Sequence, residues 1–351
     1  MSASWSRIAG LALTVERYEL ERLAVQLGPD FLRVTTVIHL HGAGEEGLGE
    51  DVTYATADQD ALQAAAAALP LAGTWTLAGF CEQLASLDLF PAPPSSPVYR
   101  LYRNWAFESA ALDLALRQAG EPLHAVLRRT PAPVRFVASL RLPEPPSLDP
   151  IEQRLAQHAG LQFKLDPTPS WDEALIEQLA ALEAVAVCDL KGYYSGSVVD
   201  NPADPALYRR VLEGFPEAWI EDPAFTPETE PMLTAHRERI TWDVPIHSVE
   251  DVRGLPFAPR MLNVKPSRLG GLRELLSLYD YCAEGGIGLY GGGQSELGVG
   301  RGQIQYLASL FHPDSPNDVA PAAYNYNPLP PDLPGSPLAA APAPIGFRWL
   351  G

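Results

Sequence analysis

From about residue 134 the chain settles into a repeating alternation. Short apolar runs that read as strands (VRFVASLRL, LQFKLD, VAVCDL, AWIED, ITWD, MLNVK, IGLYGG) are separated by segments of helical periodicity. Strands alternating with helical crossovers predict a parallel sheet, and seven or eight such units predict a closed barrel rather than an open sheet. Two helix starts can be read directly. Ser170 to Glu173 forms a capping-box pattern ahead of WDEALIEQLAALEAV, and Asp204-Pro205 offers an N-cap and an N1 proline to ALYRRVLEGF.

The C-terminal ends of the strands form the active-site rim of a parallel barrel, so the residue that closes each run carries weight. Asp189 in VAVCDLKG, Glu221 in AWIEDP and Asp243 in ITWDVP close three consecutive runs, 32 and 22 residues apart, and each separation suits one αβ unit. Converging carboxylates repel one another unless a hard cation sits among them. The trio is therefore a candidate site for Mg²⁺, or Mn²⁺. Taken singly, an acid after a strand also serves as a helix cap or a solvated loop residue.

Residues 12–57 contain alternating runs such as FLRVTTVIHL followed by the glycine-rich EEGLGEDVTY, which predicts an antiparallel meander with a mobile loop. Residues 58–128 predict helices, notably DQDALQAAAAAL and NWAFESAALDLALRQAG. The expected organisation is an α+β domain over 1–130, a barrel over 131–327 and a Pro-rich tail over 328–351. The IGFRWLG end of that tail is expected to return as a strand to the first domain. A chain of 351 residues with 46% hydrophobic content can bury both cores.

The formal net charge of −18 argues against a nucleic-acid partner and against an anionic membrane surface, which leaves small substrates. Cys81, Cys188 and Cys282 are odd in number and widely spaced, suggesting neither a disulfide framework nor a cysteine zinc site. The opening MSASWSRIAGLALTVERYEL has too short an apolar run for a signal peptide, and no later stretch approaches a membrane span, so a cytoplasmic protein is expected. The 35 prolines cluster at 91–97, 131–150 and 328–344, where they read as loop punctuation.

With these motifs in order, the chain resembles the enolase superfamily, in particular its muconate-lactonizing-enzyme/mandelate-racemase branch. FESAALDLALRQAGEPLHAVL resembles the family's capping-domain helix. CDLKG, WIEDP and WDVPIHSVEDV resemble its three metal-ligand strand ends, and LNVKPSRLGGL its sixth-strand lysine motif. The resemblance spans about residues 10–327. It implies an α/β fold, a modified (β/α)₇β TIM-type barrel under an α+β capping domain. It also implies abstraction of the proton α to a carboxylate through an enediolate, with elimination, cycloisomerisation or epimerisation as the outcome, and a homo-oligomeric assembly. Removing such a proton places a second negative charge on the carboxyl group, which a divalent cation held by Asp189, Glu221 and Asp243 stabilises as a Lewis acid.

Lys265 in NVKP matches the family's acid/base lysine, and Asn263 shares its strand parity. The second strand departs from the pattern. Where the family usually carries Lys-x-Lys, this chain has Lys164 and then Asp166. Where the family tends to place Asn two residues after the first metal ligand, it has Lys191. An exchange is the functional reading, with Lys191 taking the opposite-face role and Asp166 orienting it. An inert Lys191–Asp166 ion pair is the structural one. Lys164 is a candidate for holding the substrate carboxylate. Gln294 and Glu296 in YGGGQSELGVGRGQ, and Asn317 and Asp318 in PNDVAP, are candidate substrate contacts, while His247 and His312 read as polar-loop or packing residues. Loops near 16–30 and 42–54 are expected to influence specificity. A barrel aldolase or hydrolase fits less well, since no histidine cluster is apparent. The non-enzymatic alternative is an enolase-like barrel that keeps its metal but has lost turnover, and serves as a binding or structural protein.

Overall fold

The computed structural model describes residues 2–28, 31–65, 68–194, 196, 199–326 and 328–350. The N-terminal part runs α1 (Ala3–Ile8), β1 (Ala12–Val15), β2 (Arg17–Gly28), β3 (Phe31–Gly42), β4 (Glu45–Asp51), α2 (Thr56–Ala65), β5 (Gly73–Thr76), α3 (Leu77–Ala85), α4 (Tyr99–Ala119) and α5 (Leu123–Leu127). Strands β2, β3 and β4 form the expected antiparallel meander, and β1 pairs antiparallel with β5. Helix α4 ends where Gly120 turns left-handed at φ 69° and caps it.

The glycine-rich segment read as a mobile loop is instead strand β4. A Cβ on Gly47 would lie 2.3 Å from the Ala110 carbonyl oxygen, and one on Gly49 would lie 2.0 Å from that of Ala106. These glycines therefore let the sheet backbone press directly against α4. The expected specificity loops are likewise mostly strand, β2 and β4, with residues 29 and 30 outside the described set.

The barrel runs β6 (Val137–Leu140), α6 (Asp149–Gln157), β7 (Gln162–Leu165), α7 (Glu173–Ala181), β8 (Val185–Asp189), α8 (Pro205–Gly214), β9 (Trp219–Glu221), α9 (Glu230–Ala235), β10 (Ile240–Thr241), α10 (Val249–Arg253), β11 (Met261–Val264), α11 (Pro266–Leu269), α12 (Leu272–Gly285), β12 (Gly288–Gly291) and α13 (Val299–Phe311). Strands β6 to β10 are parallel and in sequence order, and β11 pairs parallel with β12. The Asn263 N–H joins the two groups by donating to the Trp242 carbonyl at 3.1 Å. On the far side the Asp318 N–H donates to Gly291 at 2.8 Å and the Val137 N–H to Asn317 at 2.8 Å. The segment around 317 and 318 thus acts as an eighth strand, and the architecture is the expected modified (β/α)₇β barrel.

Asp204 caps α8 as its sequence predicts, accepting from the Ala206 and Leu207 N–H groups. Helix α7 is capped differently from the capping-box expectation. Asp172 accepts from the Leu175 N–H, while Ser170 is turned toward Glu144. The tail returns to α4 and α5 through isolated contacts rather than as a strand. Asp113 accepts from the Phe347 N–H and from Arg348 Nε, both at 2.7 Å, and the Leu123 N–H donates to Gly346. Among the described residues no helix is long and apolar enough to cross a membrane.

Two buried side chains fasten the N-terminal sheet to the barrel. Glu50, at the end of β4, accepts from the N–H groups of Leu297, Gly298 and Gly300 at the start of α13. Arg33 on β3 donates to the carbonyls of Val52 and Thr53 on one side and of Gln294 and Ser295 on the other. The β12–α13 loop is thereby held against the capping domain.

Candidate active site

Parallel pairing sets Asp189 directly beside Glu221, and both carboxylates are fully buried at the C-terminal ends of β8 and β9. One oxygen each from Asp189, Glu221 and Asp222 comes within 4.8 Å of the others. Asp243 lies just beyond β10, where Lys265 Nζ (2.8 Å from Oδ2) and Arg268 Nε (2.8 Å from Oδ1) engage it. Glu221 accepts from Asn263 Nδ2 at 3.1 Å and from the Tyr290 hydroxyl. Asp222 has a left-handed backbone, φ 48°, and accepts from the Asp243 and Val244 N–H groups. It fixes the strand end that presents Asp243.

Lys164 on β7 reaches Glu221 Oε1 at 2.5 Å, Asp189 Oδ2 at 3.1 Å and Asp318 Oδ2 at 3.8 Å. Lys191 Nζ is 2.5 Å from Asp189 Oδ2 and 3.4 Å from Asp166 Oδ1. Lys191 arrives there by a different route from the one its strand parity predicts. β8 stops at Asp189, and Lys191 turns left-handed at φ 55°, its N–H donating back to Asp189 Oδ1.

Burial disfavours ionisation of Asp189, yet Lys164 and Lys191 outweigh it and hold this carboxyl well below its ordinary value. Asp243 is held low in the same way by Arg268 and Lys265. Burial also works against the charge on Lys191, but Asp166 and Asp189 hold its pKa well above the usual lysine value.

Among the described residues, the carboxylates of Asp166, Asp189, Glu221, Asp222, Asp243 and Asp318 meet the cations of Lys164, Lys191, Lys265 and Arg268. Six anions against four cations leave a formal excess of two negative charges. Burial, and behind it the carboxylates of Asp189 and Asp243 working against Lys164, pushes Glu221 up to about 8, while burial with Asp243 and Asp189 pushes Asp222 up to about 7, so both carboxyls hold a proton more tightly than usual. A divalent cation would neutralise the same excess, and every donor is a hard oxygen of the kind Mg²⁺ prefers. The residues present fit such an ion.

Residues 130–326 match the family described as "Domain of unknown function (DUF8230) C-terminal domain", and residues 6–126 match its N-terminal domain. The N-succinylamino acid racemase of Thermus thermophilus is 27% identical over 328 residues, which cover 86% of this chain and 82% of the relative. An o-succinylbenzoate synthase of Geobacillus stearothermophilus is 27% identical over 230 residues, 62% of this chain and 59% of the relative. Among solved structures, a probable mandelate racemase from Alicyclobacillus acidocaldarius superposes with a TM-score of 0.67 at 24% identity, covering 95% of this chain and 92% of its own. The muconate lactonizing enzyme of Pseudomonas putida gives 0.65 at 18% identity, covering 95% and 96%. The chain belongs to the DUF8230 family, and its homologues and structural neighbours are members of the enolase superfamily.

Within this enolase-like barrel the structure brings together Lys164, Asp166, Asp189, Lys191, Glu221, Asp243, Asn263, Lys265 and Asp318. Gln294 and Glu296 lie on the β12–α13 loop. Gln294 Nε2 donates to the Tyr102 hydroxyl of α4, and Glu296 pairs with Arg301 at 2.9 Å. Asn317 is spent elsewhere. Its Oδ1 accepts from the Gly291 N–H and pairs with His312 Nδ1, both at 2.7 Å, while Nδ2 donates to backbone carbonyls including that of Arg135. With both ends hydrogen-bonded within the protein, it closes the barrel between β12 and β6. His312 packs as expected, and His247 Nδ1 meets the Arg268 carbonyl in a loop.

Four neighbours of this carboxylate ring escaped the sequence reading: Asp222, Arg268, Tyr290 and Tyr194. Arg268 lies in the single-turn α11, whose N-cap is Lys265, and the turn brings both side chains onto Asp243. Tyr290 pairs in register with Asn263, so both point inward at Glu221. Tyr194 accepts from Arg268 at 2.9 Å. Gly292 is required by close approach, since a Cβ there would lie 2.6 Å from Asn263 Oδ1 and 2.7 Å from Lys265 Cε.

Proposed function

We propose that this enolase-superfamily chain is a divalent-metal-dependent isomerase or lyase that removes the proton α to the carboxylate of a small organic acid. Mg²⁺, or Mn²⁺, held by Asp189, Glu221 and Asp243 would supply Lewis-acid stabilisation of the charge that develops on the substrate carboxylate. Lys265 takes the α-proton. Lys191, kept as an ammonium by Asp166 and Asp189, donates a proton from the side of β8, opposite β11. Where the substrate carries a leaving group on the β-carbon, the electron pair left at the α-carbon forms the α,β double bond and the leaving group departs with the electrons of its own bond. Lys164 anchors Asp189 and Glu221 and offers its remaining N–H to the substrate carboxylate. The capping domain, clamped by Arg33 and Glu50, excludes water from the strand ends.

The observation that carries this proposal is the arrival of lysines from well-separated strands on one ring of carboxylates, Lys265 on Asp243 at 2.8 Å and Lys191 on Asp189 at 2.5 Å. The names of the relatives supply the first substrate panel, N-succinylamino acids, with other carboxylates beside them. The protein is incubated with the panel and Mg²⁺ in D₂O, and loss of the α-proton signal is followed by ¹H NMR. Exchange is expected for at least one acid, metal-dependent and abolished in Lys265→Ala. A folded, Mg²⁺-binding protein that exchanges no member of a broad panel would favour the barrel that has lost turnover.

A further inference from the structure

His39 and His41 lie two apart on β3, so both imidazoles project from one face of the capping-domain sheet. Their rings stack with centroids 6.3 Å apart and planes 15° from parallel. The flanking strands deliver acids to the same face. β4 sets Glu46 directly opposite His41, and β2 sets Glu19 directly opposite His39. Glu46 Oε1 is 2.9 Å from His39 Nδ1 and 4.0 Å from His41 Nε2. Glu19 Oε1 is 3.9 Å from His41 Nε2, and Glu21 Oε2 is 3.2 Å from His39 Nε2. His41 Nε2 is buried and has no hydrogen-bond partner, although two carboxylates stand at either side of it. At nearly 4 Å those oxygens are too distant to bond to it, but that spacing leaves room for an ion between them.

One nitrogen from each histidine and one oxygen from Glu46 already lie within 4.8 Å of one another. In a tetrahedral site with bonds of about 2.0–2.1 Å the ligand atoms stand about 3.4 Å apart, so the Glu46–His39 pair at 2.9 Å opens slightly and the Glu46–His41 pair at 4.0 Å closes, adjustments that side-chain torsions can supply. We propose that His39, His41 and Glu46 form a second metal site, selective for a borderline transition ion such as Zn²⁺, with Glu19 or Glu21 available as a fourth ligand. Two imidazoles and a carboxylate suit Zn²⁺ far better than Mg²⁺, whereas the barrel ring is all oxygen and has the opposite preference. Arg348, 3.9 Å from Glu46, and Arg17, paired with Glu19, are the competing partners the ion displaces or tolerates. The ion cross-links β3 to β4, the strands that carry Arg33 and Glu50 to the barrel, so its effect is to stiffen the cap.

The test uses the full chain, stripped of metal and then held in excess Mg²⁺ so that the barrel carboxylates are occupied. Titration with Zn²⁺ by calorimetry, with metal analysis after dialysis, should find one Zn²⁺ per chain that Mg²⁺ does not displace. The affinity should fall at least tenfold in His39→Gln and in His41→Gln and persist in Glu221→Gln. Zn²⁺ should raise the Tm of the parent and leave that of the two histidine variants, checked for folding by circular dichroism, unmoved. Zinc uptake equal in parent and histidine variants, uptake lost only in Glu221→Gln, or no uptake in excess Mg²⁺ would each overturn the proposal and leave the cluster a histidine–carboxylate hydrogen-bond network.

Discussion

Replacing Lys191 with Met separates a working acid from an inert partner. The ammonium is 2.5 Å from Asp189 and 3.4 Å from Asp166, with the side chain only 13% exposed. Removing one member of a buried pair costs about 3–5 kcal/mol when the other is stranded. Here the loss should fall near or below the lower end. Asp189 keeps Lys164 at 3.1 Å, and Asp166, whose pKa burial already raises, can protonate. Adding Asp166→Asn removes the stranded acid and should recover most of the stability.

The catalytic effect is separable from this. Losing a positioned acid or base costs about 10²–10⁴-fold, or roughly 3–5 kcal/mol of barrier, and it should fall on one stereochemical face only. The assay follows solvent deuterium incorporation into each enantiomer of an active substrate by NMR, for the parent, Lys191→Met and the double variant, with urea unfolding in parallel. Exchange of the enantiomer served by Lys265 should hold within a few-fold, and that of its mirror image should collapse in both variants, including the restabilised one. Unchanged exchange for both enantiomers would make Lys191 structural. Equal losses for both would point to a general disturbance of the carboxylate ring.

Three further outcomes are expected. Glu221→Gln removes a carboxylate that Lys164, Asn263 and Tyr290 all address, and Mg²⁺ affinity by calorimetry should fall at least about tenfold, about 1.4 kcal/mol; unchanged affinity would remove Glu221 from the metal site. Gly49→Ala drives a Cβ to 2.0 Å from the Ala106 carbonyl oxygen and 2.5 Å from Ser109 Oγ, an overpacking worth about 1–3 kcal/mol, so an unshifted urea midpoint would refute the close contact of β4 with α4. His312 is buried neutral, with its pKa pushed down from 6.5 to about 4 mainly by burial. Because the unfolded chain takes up the proton first, this contribution is complete above pH 6.5 and is lost as pH falls toward 4. Parent should therefore lose about 2 kcal/mol more than His312→Gln between pH 8 and pH 5, and parallel pH profiles would refute it.

What the sequence made legible, and what it hid, divides along physical lines. Asp189, Glu221 and Lys265 were readable because each closes an apolar run whose length and alternation fix which way the side chain points. Lys191 reaches the pocket as expected, but through a left-handed turn that strand parity does not encode. Arg268 and Tyr290 were hidden because their partners are distant in sequence, the arginine returning through one helical turn and the tyrosine through registry with β11. The glycines of β4 misled because glycine marks both loops and close backbone contact, and only the opposing helix tells which applies. Asn317 shows a related ambiguity, since a polar residue near a barrel rim can close the barrel, as its bonds to Gly291 and His312 do, as readily as it can bind a ligand.

The departure on the second and third strands was the most informative reading, and its charge arithmetic goes further than a simple exchange. The usual pattern of two lysines and an asparagine brings two positive charges, whereas Lys164, Asp166 and Lys191 bring two positive charges and one negative. The added acid is buried beside Lys191 and holds it protonated. An amine locked as an ammonium donates a proton readily and accepts one poorly, so the two faces of the α-carbon are served unequally. Under the proposed function, a site built this way is suited to deprotonation on the Lys265 face followed by elimination, with slower proton exchange on the Lys191 face. Neutralising Asp166 alone, as Asp166→Asn, should then bring the exchange rates of the two enantiomers closer together.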